Sequence, residues 1–194
     1  MGCYREISKS DISNVKRLLD EHIGKDFYSA EYIEGIVEDK NRIMNLYISD
    51  EGKVLGFQYG MLADIDTSCN ILNISKKDRD KLIQEYPECA KGDIGIFKTI
   101  AVAAECRGRG VSNHLNEMTT EWFEKRGVRI AIGVALIRPD GVVNARYAME
   151  HANQRVIFNV EQPWIKIKSY CPYCQQEYCH CNGAVFIKRV QGED

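Results

Sequence analysis

The run KTIAVAAECRGRGVSNHLNEM, Lys98 to Met118, constrains the fold more than any other stretch of this chain. The nearly all-apolar segment from Ile94 to Ala103 suits a buried central strand. Leu115, Met118, Trp122 and Phe123 then recur at the spacing of an amphipathic helix over Val111 to Arg126, which Gly127 ends. Arg107-Gly108-Arg109-Gly110 leads directly into that helix, so the backbone must turn sharply, and glycine permits the turn. The first N–H groups of such a helix have no partner within it and point at whatever fills the turn. With two arginines beside them, the arrangement reads as an anion cradle. The simpler reading is a tight turn with a solvated basic edge. A P-loop would need GxxxxGK followed by Ser or Thr, and a dinucleotide fingerprint GxGxxG; Gly108 and Gly110 supply only GxG.

Around this unit the pattern alternates. Cys3 to Ile7 predicts a strand, and Ile12, Val15, Leu18 and Leu19 predict a helix capped by Ser10 or Asp11. A second helix is predicted from about Ser29 to Asp39. The strand-like runs Arg42 to Ser49 and Lys53 to Leu62 flank Asp50-Glu51-Gly52, which predicts a hairpin. Ala63 to Gly92 is polar and uneven, and reads as an insertion over one face of the sheet with one helix from about Lys76 to Glu85, ended by Pro87. A buried strand over Val128 to Ile137, a helix over Gly141 to His151, an extended stretch over Arg155 to Lys168 and a last strand over Ala184 to Val190 complete the chain. A length of 194 residues suits a single domain. Its class is α/β or α+β, a mixed sheet with helices on both faces.

The net charge of -2, from 26 basic and 28 acidic residues, gives no electrostatic footprint for nucleic acid. No apolar stretch approaches the roughly 20 residues that span a bilayer, and no basic run suggests a membrane surface. A soluble, cytoplasmic protein is expected. MGC at the start lacks the Ser or Thr that myristoylation needs at the sixth position, where Glu6 stands.

Arg107, Gly110 and Ser112 fall at the three fixed positions of R/Q-x-x-G-x-G/A, and Val102 at the hydrophobic residue ending the strand before it. The run therefore resembles motif A of the GNAT superfamily of acyl-CoA-dependent N-acetyltransferases, from which Ser112 departs modestly. The order strand, two helices, three strands, helix, strand, helix and two strands is similar to that family over nearly the whole chain. The resemblance implies a GNAT-like fold with acetyl-CoA as cosubstrate. Its pyrophosphate would bind the backbone of Arg107, Gly108, Arg109, Gly110, Val111 and Ser112. Its pantetheine arm would pair near Ile100, Ala101 and Val102, where the fourth and fifth strands part.

The implied reaction is direct attack by a primary amine, on a small molecule or a protein, on the thioester of an acetyl or other acyl group. Such an amine, with a pKa of about 10.4, must first lose a proton. Asp93 at the start of the fourth strand is the candidate base, with a turn residue after Gly92 as the alternative. The family's A-x-x-x-Y-x-x-x-G-F pattern, aligned on Ala145, puts Met149 where the tyrosine acid stands and Asn153-Gln154 where Gly-Phe stands. Tyr147 lies two residues earlier, about 200° around the helix, and is a candidate acid or an ordinary surface tyrosine. A second reading keeps the fold and acyl-CoA binding but replaces transfer by partner binding. Assembly as a homodimer is left open.

CPYCQQEYCHC packs Cys171, Cys174, Cys179, Cys181 and His180 into one run. CPYC alone resembles the glutaredoxin pair, but that pair belongs near the start of a long βαβ unit, and too little chain follows here. A structural zinc site accounts for more residues: Cys171, Cys174, Cys179 and Cys181 can close a tetrahedral set, with His180 as a competing fourth ligand and iron as a lesser alternative. In the family register this knuckle lies between the last two strands, beside the acceptor, with Tyr170, Tyr173 and Tyr178 as contact surface. Cys3, Cys69, Cys89 and Cys106 are scattered singly and read as small apolar residues.

Overall fold

The alternation read from the sequence folds into one seven-stranded sheet in the computed structural model, which describes residues 2–191. The strands are β1 (Cys3–Glu6), β2 (Arg42–Ile48), β3 (Val54–Ala63), β4 (Ile94–Val102), β5 (Ile130–Ile137), β6 (Arg155–Val160) and β7 (Asn182–Arg189). The helices are α1 (Ile12–His22), α2 (Ala30–Glu38), α3 (Ile65–Leu72), α4 (Lys76–Glu85), α5 (Val111–Glu124) and α6 (Arg146–His151). The spatial order is β1-β2-β3-β4-β5-β7-β6, antiparallel except where β4 and β5 run parallel. Among the described residues no helix is long and apolar enough to cross a membrane.

The parallel pair is short. β4 and β5 are in register only at Gly95–Ala131, Ile96–Ile132 and Phe97–Gly133, although both strands continue beyond. A Cβ on Gly133 would lie 3.0 Å from the Phe97 carbonyl oxygen, so a side chain there would force the last rung apart. On its other edge β4 stays paired with β3 up to Gly56–Val102, and the register shifts between Tyr59–Thr99 and Gly60–Phe97. Lys98 is thus the extra residue of a β-bulge, which bends the strand as its pairing with β5 ends.

Helix α5 crosses β2, β3 and β4 on one face, where small residues let it approach. A Cβ on Gly56 would meet Val111 and Leu115, one on Gly60 would meet Thr119, and one on Gly95 would sit 2.8–2.9 Å from the Phe123 ring. Phe123 is fully buried and packs edge-on to Phe97 with ring centroids 5.2 Å apart. A polar bond fixes the same contact: the Asn45 amide, on β2, donates to Thr119 Oγ1 at 2.9 Å, both groups being buried. The opposite face carries α1 through Val15, Leu18 and Leu19, and α2 through Ile33 and Ile36.

Three predicted elements differ. The stretch 64–93 holds two helices, because Asp64 caps α3 by accepting from the Thr67 N–H, a start signal that the polar composition masks. The helix expected over Gly141 to His151 is confined to Arg146–His151, since Val143 forms a bridge with Ile137 and Ala145 adopts a left-handed conformation. The extended stretch from Arg155 stops at Val160 and gives way to turns.

The closeness of α5 to the sheet has a measurable consequence. Gly95→Ala overpacks Phe123 and should destabilise the protein by about 1–3 kcal/mol. Thermal unfolding should show a fall of about 2–4 °C for each kcal/mol in a domain of this size.

Candidate functional site

Beyond Phe97 and Gly133 the two parallel strands leave Thr99 to Val102 paired on the β3 side only, so the other edge of β4 offers unused backbone groups. A cavity of about 250 Å³ opens there. Ile100 on β4 and Val134 and Leu136 on β5 line its cleft, and Met149 of α6 lines it too. The Gln58 side chain, 1 % exposed, also lines it; its amide nitrogen donates to the Tyr59 and Thr99 carbonyls. That leaves Gln58 Oε1 buried and without a partner.

The glycine-rich turn lies at the far end of β4. Gly108 and Gly110 both have positive φ, 71° and 78°, and Gly110 is the N-cap of α5, so no side chain caps the helix. Arg107, Gly108, Arg109 and Gly110 are exposed. Arg107 Nε donates to the Val102 carbonyl at 3.0 Å, which ties the turn back to the strand. Unpaired N–H groups of the first turn and two guanidinium groups thus share one exposed corner, the donor set that suits a phosphate.

Two other segments wall the cavity. The loop between α1 and α2 contributes Phe27 and Tyr28, with His22 from the end of α1. Tyr28 is held by a 2.6 Å hydrogen bond between its hydroxyl and Thr99 Oγ1, and burial raises its pKa far above the ordinary phenol range, so it stays protonated. His22 Nε2 is buried without a hydrogen-bond partner, with Glu21 Oε1 4.0 Å away. The connection from β6 to β7 contributes Trp164, Ile167, Tyr170, Cys171 and Tyr173. The two walls meet: a Cβ on Gly24 would lie 2.5 Å from Ser169 Oγ, so only glycine lets the loop close against that segment.

The cysteine run is a miniature hairpin. Lys168 bridges to Tyr178, the Ser169 N–H donates to the Glu177 carbonyl at 2.9 Å, and the Gln175 N–H donates back to the Cys171 carbonyl at 2.9 Å. These bonds bring Cys171, Cys174, Cys179 and Cys181 together, with all four Sγ atoms within 4.8 Å of one another. Sulfurs on one tetrahedral zinc, each about 2.3 Å from the metal, stand about 3.8 Å apart, so the spacing fits with small adjustment. Burial and the neighbouring thiols push Cys179 up to about 11 and Cys181 higher still. These thiols resist ionising together, a cost that a cation would remove. His180 is exposed and outside the group, which favours Cys181 as the fourth ligand. Three of the cysteines pack with Leu136 and Trp164, so the knuckle rests on the wall of the cavity.

Of the residues expected to hold the coenzyme, Ile100 lines the cavity, Ala101 and Val102 continue the open edge, and residues 107–112 form the turn. Neither expected acid–base residue lines the cavity. Asp93 is exposed and precedes the first residue of β4, at the end where β4 and β5 are still paired. Tyr147 is 69 % exposed and stacks on His151, ring centroids 3.7 Å apart. Met149, in the register of the family's tyrosine, is the α6 residue that lines the cavity, and Asn153 holds the left-handed conformation that a glycine would take. Sequence reasoning missed His22, Phe27, Tyr28 and Lys98. The first three lie near or in a short loop without a motif, and Lys98 reads as an ordinary charge at the edge of an apolar run.

No family model and no curated protein matches the sequence. Solved structures do match. The acetyltransferase of the GNAT family from Streptococcus pneumoniae superposes with a TM-score of 0.63 at 14% identity, over 98% of this chain and 100% of that one. The ribosomal-protein-S18-alanine N-acetyltransferase from Escherichia coli gives 0.64 at 11% identity, over 100% and 97%. The NatC complex bound to Gag peptide and CoA gives 0.66 at 9% identity, over 98% and 99%. The chain has the fold of the GNAT acetyltransferases.

Proposed function

We propose that the protein transfers an acetyl or other acyl group from acyl-CoA to a primary amine. The observation that carries this reading is the continuity of three features along β4: the phosphate-suited turn at 107–112, the unpaired strand edge at Ile100–Val102, and the cavity at the β4–β5 gap. The turn would take the pyrophosphate on its N–H groups with help from Arg107 and Arg109. The strand edge would pair with the amides of the pantetheine arm as a further strand would, delivering the thioester to the gap. A backbone N–H of β4 beside the carbonyl would stabilise the developing oxyanion. Structural neighbours support acyl transfer in general, and one of them is a complex with CoA.

Attack needs a neutral amine, and an imidazole is the side chain suited to take its proton near pH 7. His22 lines the cavity with a buried Nε2 that makes no hydrogen bond and lies 4.0 Å from Glu21 Oε1, and we assign it as base. No phenol stands at Met149 to return a proton to the thiolate. Coenzyme A thiol would then leave as the thiolate and take its proton from solvent. Coenzyme binding without turnover on any amine would support the second reading, a protein that keeps the fold for acyl-CoA and uses its knuckle to bind a partner.

The knuckle would hold zinc through four thiolates, a closed set that leaves no position for water and supplies rigidity rather than chemistry. Because Cys171 and Cys179 line the cavity and Ser169 touches the α1–α2 loop, that rigidity would set the shape of the acceptor side.

Incubation with acetyl-CoA and a panel of amines, read as released thiol, should show acceptor-dependent turnover. His22→Gln should lower it by about 10²-fold, the usual scale of general-base catalysis. Asp93→Asn and Tyr147→Phe should leave it near wild type, and a loss in either would restore that residue to the mechanism. For the metal, elemental analysis should find about one zinc per chain. Cys171→Ser with Cys174→Ser should release it and raise the acceptor KM while the acetyl-CoA KM holds; a folded, metal-free variant with an unchanged acceptor profile would refute the role given to the knuckle.

A further inference from the structure

The lining of the cavity is one-sided in charge. No aspartate or glutamate contributes to it, and Lys98 is the one lysine or arginine that does. Lys98 is also the bulged residue of β4. The bulge puts it and Thr99 on the face away from α5, as their contacts confirm: Lys98 Nζ donates to the Ile71 carbonyl of α3 at 3.2 Å, and Thr99 bonds Tyr28. Phe97, the residue before, packs on α5. The Lys98 side chain therefore lies on the face away from α5, with its Nζ at the end of α3.

Among the described residues no carboxylate lies within ion-pairing distance of Lys98, and its one hydrogen-bond partner is that carbonyl. Burial holds its ammonium below the ordinary lysine value, with no neighbouring charge offsetting the loss of solvent. A partly desolvated cation with a single neutral partner costs stability, and an anion entering the cavity would relieve that cost. Phe27, Tyr28, Trp164 and Tyr170 give the wall a large aromatic surface, and its other polar groups include the uncharged amides of Gln58, Asn116 and Asn144. A polycationic acceptor would find a positive charge and no carboxylate to pair with.

Resting on the acyl-transfer reading, we propose that the acceptor is an amine that also carries a carboxylate and an apolar, preferably aromatic, body, and that Lys98 selects the carboxylate. Lys98 is thus a specificity residue that takes no part in bond making. The α-amino acids with large side chains are the simplest members of this class.

The test compares matched pairs. With acetyl-CoA, L-phenylalanine should be acetylated with a higher kcat/KM than phenethylamine, which lacks only the carboxylate. Lys98→Met, similar in length but uncharged, should reduce that preference by about 10–100-fold, the range expected for a charge-assisted hydrogen bond. Lys98→Arg should keep part of it, and acetyl-CoA affinity should hold in both variants. Preference for phenethylamine in the wild type, or a ratio unmoved by Lys98→Met, would overturn the proposal. Calorimetry with N-acetyl-L-phenylalanine and N-acetylphenethylamine reads the same site without turnover. If no amine is acetylated, the acyl-transfer reading fails, yet selective binding of N-acetyl-L-phenylalanine that Lys98→Met abolishes would still establish the anion site. Equal binding of both compounds, or of neither, would reject it.

Discussion

The end of the β4–β5 ladder at Phe97–Gly133 is the constraint on which the rest of the molecule depends. Parallel strands that stay in register bury their edges in each other. Here the pairing stops after three rungs, and the remaining backbone of β4 faces a gap instead of a neighbour. Two local features produce that outcome. Gly133 lets the backbones approach at the last rung, and the Lys98 bulge bends β4 immediately afterwards. Helix α5, seated on Gly56, Gly60 and Gly95, then fixes the direction in which the strand leads. The open edge, the turn and the helix start then follow one another along the chain.

The other end of the cavity is built differently, from loops that hold each other. The α1–α2 loop and the β6–β7 connection meet at Gly24 and Ser169, and neither segment contains a long regular element at the contact. Loops of this kind are the least stable part of a domain unless something fixes them. Tyr28 fastens one to β4 through Thr99, and the cysteine hairpin braces the other against Leu136 and Trp164. A bound metal would hold as thiolates, in one closed and rigid set, four groups that otherwise resist ionising together. The end that carries the glycine-rich turn thus rests on the sheet, and the end beside the cysteine hairpin on two fastened loops.

Much of this was legible in the sequence because it is local. The RGRG turn, the apolar run before it and the helical repeat after it are adjacent, and the structure keeps them as read, with Gly110 capping α5. The cysteine spacing is local too, and all four thiols converge. The side chains that line the cavity were less legible, since they come from distant segments of the chain. Asp93 stands just before β4, at the end where β4 and β5 are still paired. Tyr147, the phenol on α6 nearest the family register, is exposed and stacks on His151. His22 and Lys98 carry no motif. One reaches the cavity from the last residue of α1 and the other through a bulge, and neither feature has a periodicity to read.

The central claim is that the unpaired edge of β4 and the turn beyond it hold acyl-CoA. A crystal structure of the protein with acetyl-CoA tests it most directly. The account predicts the pyrophosphate on the N–H groups of 107–112, the pantetheine amides on Ile100–Val102, and the thioester in the gap beside Met149. Coenzyme bound elsewhere, or its pantetheine arm lying away from the β4 edge, would contradict it.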